Sequence, residues 1–247
     1  MPRFHIEASQ IDNGTVRLNP KESRHALSVL RLNIGDTVDL FDGQGRGFSG
    51  VISRLEKGSV EVMITQNSKT VQERIHLTLG ISVIKPEAMD LVVQKACELG
   101  VHSIQPLITE RCVVKLPYGR WLSKIERWKK IALESCKQCG RTKTPEVWAA
   151  SGLKIFSKEF GAYDLVLLPT LAKKGEGLYD ILFSKPAVRK VLVLIGPEGD
   201  FTENEVGLME SAGARALDLG PWVLRSETAA LYSLSVLQFM FREVLRG

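Results

Sequence analysis

The sequence predicts two domains: a small all-β unit, then an α/β domain with a mainly parallel sheet. Up to about residue 70, short alternating runs are separated by turn residues. Beyond it, helical patterns alternate with nearly continuous apolar strands. In the second part, two of the strands run into glycine-containing loops, Gly196-Pro197-Glu198-Gly199 and Leu219-Gly220. A strand followed by a glycine loop and a helix is the form of a ligand site at the carboxyl edge of a parallel sheet.

The chain has 247 residues, more than the roughly 100 to 150 of a typical domain, which fits unequal domains at 1–72 and 73–247. With 44% hydrophobic and 25% charged residues, it carries the composition of an ordinary globular core and excludes a disordered class.

The expected strands of the first domain are 36–41, 48–53 and 59–65. They are broken by Asp42-Gly43-Gln44-Gly45-Arg46-Gly47 and by Lys57-Gly58. Closely spaced strands with polar outer faces suit a small barrel. In the second domain a strand at 75–84 precedes a helix opened by Pro86 and closed by Gly100, with Met89, Val92, Val93, Ala96 and Leu99 on one face. Strands follow at 101–108, 165–169, 191–195 and 215–219. The middle two are almost wholly apolar, as expected when both sheet faces are covered.

Trp121, Leu122, Ile125, Trp128 and Ala132 repeat at helical spacing, flanked by Lys124, Arg127 and Lys130. This spacing makes the tryptophans core residues rather than base-stacking platforms. The last helix, about 229–245, is apolar on nearly every side. It needs more than one neighbour to bury it, and a second copy of the chain is the expected one.

The net charge of +5 is unevenly spread. Residues 1–73 carry nine Lys or Arg against nine Asp or Glu, whereas 111–143 carry ten against two, Glu126 and Glu134. Local clustering of this kind is either a solvated helix face or a nucleic-acid footprint. The N-terminus has no apolar leader and 229–241 is too short to span a bilayer, so a cytoplasmic protein without a membrane partner is expected. Cys136 and Cys139 form one C-x-x-C without a second pair at matching spacing, so no metal site is expected.

The glycine loop at 196–199 ends in a capping box, Thr202 with Glu205, that opens a helix. A helix N-terminus attracts an anion by only about 0.3 to 1 kcal/mol at an exposed site. Glu198 and Asp200 oppose it: a like charge at about 4 Å costs on the order of 4 kcal/mol at an effective dielectric near 20. No phosphate-loop or dinucleotide motif is present. A ligand that is neutral or cationic where it meets these acids fits the loop.

The loops Leu194-Ile195-Gly196-Pro197-Glu198-Gly199 and Leu219-Gly220 through Val223-Leu224-Arg225-Ser226-Glu227-Thr228-Ala229 resemble the cofactor loops of the RsmE family. These are ribosomal RNA uridine-N3 methyltransferases of the SPOUT class. The likeness extends along nearly the whole chain, through His25 with Val29-Leu30-Arg31, Phe41-Asp42-Gly43, Cys97-Glu98-Leu99-Gly100, Glu110-Arg111-Cys112 with Val114-Lys115-Leu116, and Gln138-Cys139-Gly140-Arg141 with Pro145-Glu146.

The resemblance implies a PUA-like β-barrel that helps hold RNA, then a SPOUT α/β domain with a trefoil knot, active as a homodimer. It implies S-adenosylmethionine as cofactor, held by Leu168, Pro169, Thr170, Gly196, Glu198, Gly199, Leu219, Gly220 and Leu224. It also implies 16S rRNA of the small ribosomal subunit as substrate, with Arg3, His25, Arg31, Arg111, Lys115 and Arg141 as RNA contacts. The sequence departs from the usual pattern at Asp200, where relatives more often carry glycine.

Methyl transfer to a uracil imide nitrogen requires that nitrogen to lose its proton, and a nearby cation stabilises the developing anion. Arg225, just past the second loop, is the candidate; its competing role is a salt bridge to Glu198 or Glu227. No general base stands out. The rival reading is a non-enzymatic RNA-binding or ribosome-assembly factor on the same fold, which calorimetry with S-adenosylmethionine would separate from an enzyme.

Overall fold

The computed structural model describes residues 1–68, 75–112, 118–185 and 187–244. The chain divides into two compact units, Met1–Gln72 with Leu133–Thr144, and Glu73–Ala132 with Pro145–Gly247. The junction expected near residue 72 falls among 69–74, outside the described residues.

The first unit is a six-stranded sheet. Its strands are β1 (Arg3–His5), β2 (Ile11–Asp12), β3 (Thr15–Arg17), β4 (Thr37–Phe41), β5 (Gly47–Glu56) and β6 (Ser59–Asn67), in the order β1-β4-β5-β6-β3-β2. β1 runs parallel to β4, and the remaining pairs are antiparallel. Alternation in β4, β5 and β6 puts Val38, Leu40, Ile52, Val60 and Val62 into one core with Phe4, Ile6 and Val16. A short helix, α1 (Pro20–Arg24), opens on Asn19, whose side chain accepts the Glu22 amide. Segment 133–144 joins this unit through the glycine turn after β4. The Thr144 amide donates to the Gly43 carbonyl at 2.9 Å and the Gly45 amide to the Thr142 carbonyl at 3.1 Å.

The second unit is a parallel sheet. β7 (His76–Ser82), β8 (Ser103–Ile108), β9 (Glu146–Val147), β10 (Ser151–Gly152), β11 (Leu165–Pro169), β12 (Lys190–Ile195) and β13 (Arg215–Leu217) are ordered β10-β8-β7-β12-β11-β13, with β9 also on β8. Helices α2 (Pro86–Glu98), α3 (Tyr118–Cys139, whose end from Leu133 on belongs to the first unit), α4 (Leu153–Phe156), α5 (Leu178–Phe183), α6 (Glu203–Ser211) and α7 (Ser226–Phe239) are interleaved with the strands. The sheet is covered on both faces. One core contains Leu77, Leu79, Val93, Trp128, Val191, Val193 and Leu234, and the other contains Leu107, Phe160, Leu168, Leu192, Leu194 and Phe201. Trp128 is 1% exposed, a core residue as its spacing implied.

β13 is flanked on both sides. β11 pairs with it at Leu167↔Arg215 and Pro169↔Leu217, and after the loop that follows β11, Glu176 bridges Leu217. The Glu176 amide donates to the Ala216 carbonyl and the Asp218 amide to the Glu176 carbonyl, each at 2.9 Å. In parallel pairing Ala216 and Asp218 point away from the edge that Arg215 and Leu217 present to β11. The segment between β11 and α5 therefore passes around β13. Gly175 makes this crossing possible, because a Cβ there would lie 2.3 Å from the Leu217 carbonyl carbon.

α3 carries much of the basic excess, and part of it is already paired. The Arg127 guanidinium grips Asp90, with Nη2 2.5 Å from Oδ2, and Lys129 reaches Glu126 at 2.9 Å.

Candidate functional site

Because β7, β12, β11 and β13 are parallel, their carboxyl ends share one edge of the sheet and the loops that leave them gather there. They enclose a cavity of about 710 Å³. Pro169 ends β11 and Thr170 follows it, Gly196 and Glu198 follow β12, and Leu219, Gly220, Leu224 and Arg225 follow β13. All of them line the cavity. Leu168 does not: it is fully buried in the core behind the sheet edge. Gly199 is absent from the cavity wall, and its carbonyl accepts a hydrogen bond from Arg111 Nη1 at 2.6 Å.

The turn from β12 into α6 is built tightly. The Asp200 amide donates to the Pro197 carbonyl at 2.9 Å, and the expected capping box forms, with Thr202 Oγ1 and the Glu205 carboxylate exchanging hydrogen bonds with each other's backbone amides. Gly196 sits beneath Asp200 and Phe201, where a Cβ would lie 2.9 Å from Asp200 Oδ1 and 3.2 Å from the Phe201 nitrogen. The β13 loop is turned by Gly220 at φ +107, whose amide donates to Asp218 Oδ1 at 2.7 Å.

Acidic and basic groups both face the cavity. Glu198 is exposed, and its Oε1 lies 3.4 Å from the Lys85 amide. Asp200, which the sequence placed beside Glu198 as a second free acid, instead accepts from Thr170 Oγ1 at 2.8 Å and from the Leu171 amide at 2.7 Å. Among the cations, Lys173 is held by Glu210 at 2.7 Å. Arg225 is exposed at the N-cap of α7 and forms no ion pair among the described residues, so the bridge to Glu198 or Glu227 is not made. The wall thus keeps carboxylates toward a cationic ligand and one uncommitted guanidinium at its rim.

Sequence reasoning missed Lys85, Asp218 and Trp222, which also line the cavity. Lys85 lies three residues past β7, so the strand-end rule that marked the other loops could have marked it. Trp222 stands on the rim with 79% of its surface exposed.

The residues expected to touch RNA separate by unit. Arg3, His25, Arg31 and Arg141 belong to the first. The Arg3 guanidinium lies 4.9 Å from the centre of the Phe41 ring; burial pushes its pKa down and the Asp39 carboxylate opposes that. His25 packs edge-on to Phe4 at 6.0 Å. Arg31 is exposed on a turn at φ +54, and Arg141 is half-buried just after Gly140. Arg111 belongs to the second unit. Lys115 lies outside the described residues, as do Val114 and Leu116.

Among the described residues no group of three His, Cys, Asp or Glu side chains could hold a metal ion, and no helix is long and apolar enough to cross a membrane.

Two family models match the chain: an RNA methyltransferase domain over residues 71–238 and an RNA methyltransferase PUA domain over 18–65. Ribosomal RNA small subunit methyltransferase E of Bacillus subtilis is 30% identical over all of this chain and 99% of its own length. The protein of that name from Rickettsia conorii is 27% identical over 96% of this chain and 95% of its own. Among solved structures, ribosomal RNA small subunit methyltransferase E of Neisseria gonorrhoeae bound to S-adenosyl methionine superposes with a TM-score of 0.86. It is 33% identical, covering 97% of this chain and 98% of that one. A Legionella pneumophila protein in complex with bound SAM gives the same TM-score at 35% identity, covering 96% of each chain.

Proposed function

We propose a function from one premise: the chain belongs to the RNA methyltransferase family of ribosomal RNA small subunit methyltransferase E. On that premise it is an S-adenosylmethionine-dependent methyltransferase acting on small-subunit ribosomal RNA, with N3 of a uridine in 16S rRNA as the acceptor. The observation that carries this reading is the cavity at the carboxyl edge of the sheet, built from the loops after β11, β12 and β13. Relatives at 33% and 35% identity with the same fold hold the cofactor.

The walls suit that ligand. S-adenosylmethionine supplies an electrophilic methyl group on a sulfonium centre. Glu198 and Glu227 leave carboxylates on the cavity wall toward a cation, while Gly196 and Gly220 let backbone come close to an adenine edge. Arg225, outside any ion pair among the described residues, would supply the positive charge that stabilises a uracil ring as its N3 proton is lost to solvent.

Two further proposals follow. The first is the trefoil knot, supported by the passage of the 170–177 segment around β13 between β11 and Glu176. The second is a homodimer formed through α7. Tyr232 and Phe239, two helical turns apart, are 47% and 59% exposed, and Leu91 on the neighbouring α2 is 41% exposed. Sedimentation at micromolar concentration tests the dimer, and a monomer alone would rule it out.

The setting proposed is the cytoplasm, on the small ribosomal subunit. The deciding experiment is mass analysis of 16S rRNA from a strain lacking this protein, with and without the protein restored. Restored protein is expected to return one methyluridine; no change in methyluridine would sink the assignment. If S-adenosylmethionine fails to bind at millimolar concentration, the non-enzymatic assembly factor is the better reading.

A further inference from the structure

We infer that Asp200 is a positioning residue of the cofactor site, a carboxylate clip that fixes the start of the β11 loop against the β12 loop. Its backbone sits at φ +57, a left-handed conformation that side chains other than those of Asn and Asp adopt only rarely. Both carboxylate oxygens are used within the protein. Oδ2 accepts from Thr170 Oγ1 at 2.8 Å and from the Leu171 amide at 2.7 Å, and Oδ1 accepts from the Phe201 amide at 2.8 Å. Thr170 Oγ1 in turn accepts from the Ala172 amide at 3.2 Å, so one carboxylate orders three consecutive residues of a loop thirty positions earlier in the chain.

Beyond the clip the loop is tied by the Lys173–Glu210 ion pair at 2.7 Å and, at its far end, by the backbone of Glu176 on β13. Leu171, Ala172, Lys173 and Lys174 are all exposed, so their backbone is not fixed by burial. Gly196 fits the same device, since any larger residue would press on Asp200 Oδ1 and displace the carboxylate. With its oxygens satisfied by protein donors, Asp200 shapes the cavity and leaves ligand contact to the groups around it. The inference rests on the proposed function for the identity of the ligand and on the hydrogen bonds alone for the clip.

The test uses the full chain with Asp200→Gly, which accepts the same φ without a carboxylate, and Asp200→Asn, which keeps one acceptor oxygen. Calorimetry with S-adenosylmethionine is expected to give roughly tenfold or weaker binding for Asp200→Gly and a smaller loss for Asp200→Asn. In turnover assays KM for S-adenosylmethionine should rise more than kcat falls. Thr170→Val is expected to repeat part of the loss, and the double variant to be little worse than Asp200→Gly, because both remove one interaction. Amide exchange at Leu171 and Ala172 should quicken in Asp200→Gly with no ligand added. Binding within twofold of wild type, fully additive losses with Thr170→Val, or unchanged exchange at those amides would each overturn the inference. Quickened exchange in Asp200→Gly, with a wild-type chain that does not bind S-adenosylmethionine, would retain the clip and overturn the proposed function.

Discussion

Arg111 donates through Nη1 to the carbonyl of Gly199 at 2.6 Å, and its side chain lies along that glycine. The family resemblance makes Arg111 an RNA contact, whereas the geometry makes it a brace on the loop between β12 and α6. A hydrogen bond to a charged group contributes about 1.5 to 3 kcal/mol when shielded, and exposure to solvent lowers that here. Arg111→Ala is therefore expected to weaken S-adenosylmethionine binding roughly two- to tenfold. Calorimetry with the cofactor and a filter assay with rRNA separate the two roles; loss of RNA affinity at unchanged cofactor affinity would return Arg111 to the RNA.

The two glycines of the β12 loop should behave differently on substitution. A Cβ at Gly196 meets the Phe201 backbone nitrogen at 3.2 Å and Asp200 Oδ1 at 2.9 Å, and the backbone atom cannot swing away. At Gly199 the nearest atom is Arg111 Cδ at 3.4 Å, an ordinary contact. Gly196→Ala is expected to cost tenfold or more in cofactor affinity, of the order of 1.4 kcal/mol. Gly199→Ala should bind nearly as wild type. Equal effects in a titration of the two variants would refute the distinction.

The elements that local pattern sets were legible in the sequence: the β12 run, the Thr202–Glu205 capping box, the Pro86 helix start and the inward face of α3, except Leu122, which shares the helical spacing but is 72% exposed. What was not legible depends on distant partners. β1 is three residues long and is a strand only because Asp39–Phe41 lie beside it. Segment 133–144 joins the first unit through Gly43 and Gly45, about a hundred positions earlier. Asp200 looked like a free acid because its donors stand thirty residues away, and the target of Arg111 is 88 away. The loops that line the cavity were marked in the sequence because glycine loops after parallel strands converge for topological reasons. How its acids are spent depended on tertiary hydrogen bonds that no local rule predicts.

In the first unit Lys137 and Glu22 form an ion pair with only 9% and 4% of their side chains exposed. Lys137 meets Glu22 Oε1, and the buried Oε2 accepts no hydrogen bond among the described residues. Removing one member of a buried pair strands the other charge at a cost of about 3 to 5 kcal/mol. Lys137→Met should therefore quicken amide exchange across β5 and β6, and Glu22→Gln in the same chain should recover part of the loss. Exchange in Lys137→Met at the wild-type rate would show that the pair contributes nothing.

Asp42 makes the stability of the turn after β4 depend on pH. Burial pushes its carboxyl up, but the Arg46 side chain and the amides of Gln44 and Arg46 outweigh burial and leave it below the ordinary carboxylate range. A depressed folded-state pKa means that the stabilisation is complete above the unfolded value, about 3.9. It is lost as pH falls through the lower folded value. Asp42→Asn is expected to destabilise the unit by about 1 to 3 kcal/mol at pH 7. Urea unfolding should show that gap closing below about pH 4; a gap that stays constant to pH 2 would exclude the carboxylate as its source.

The catalytic role proposed for Arg225 rests on its place at the cavity. The residue caps α7 with its backbone alone, reaches the cavity rim, and is spent on no carboxylate among the described residues. A group that acts only on developing charge should matter in the transition state and little in cofactor binding. Removing one preorganised donor of this kind costs about 10² to 10³ in rate. Arg225→Ala is therefore expected to lower kcat on rRNA by about that factor while S-adenosylmethionine affinity stays within a few-fold of wild type. Arg225→Lys, which keeps the charge and loses the planar fork, should recover part of the rate. Single-turnover methyl transfer with cofactor saturating separates these outcomes. An Arg225→Ala enzyme with unchanged turnover and weaker RNA binding would make Arg225 a phosphate contact, because a group that only holds substrate changes affinity and not the chemical step.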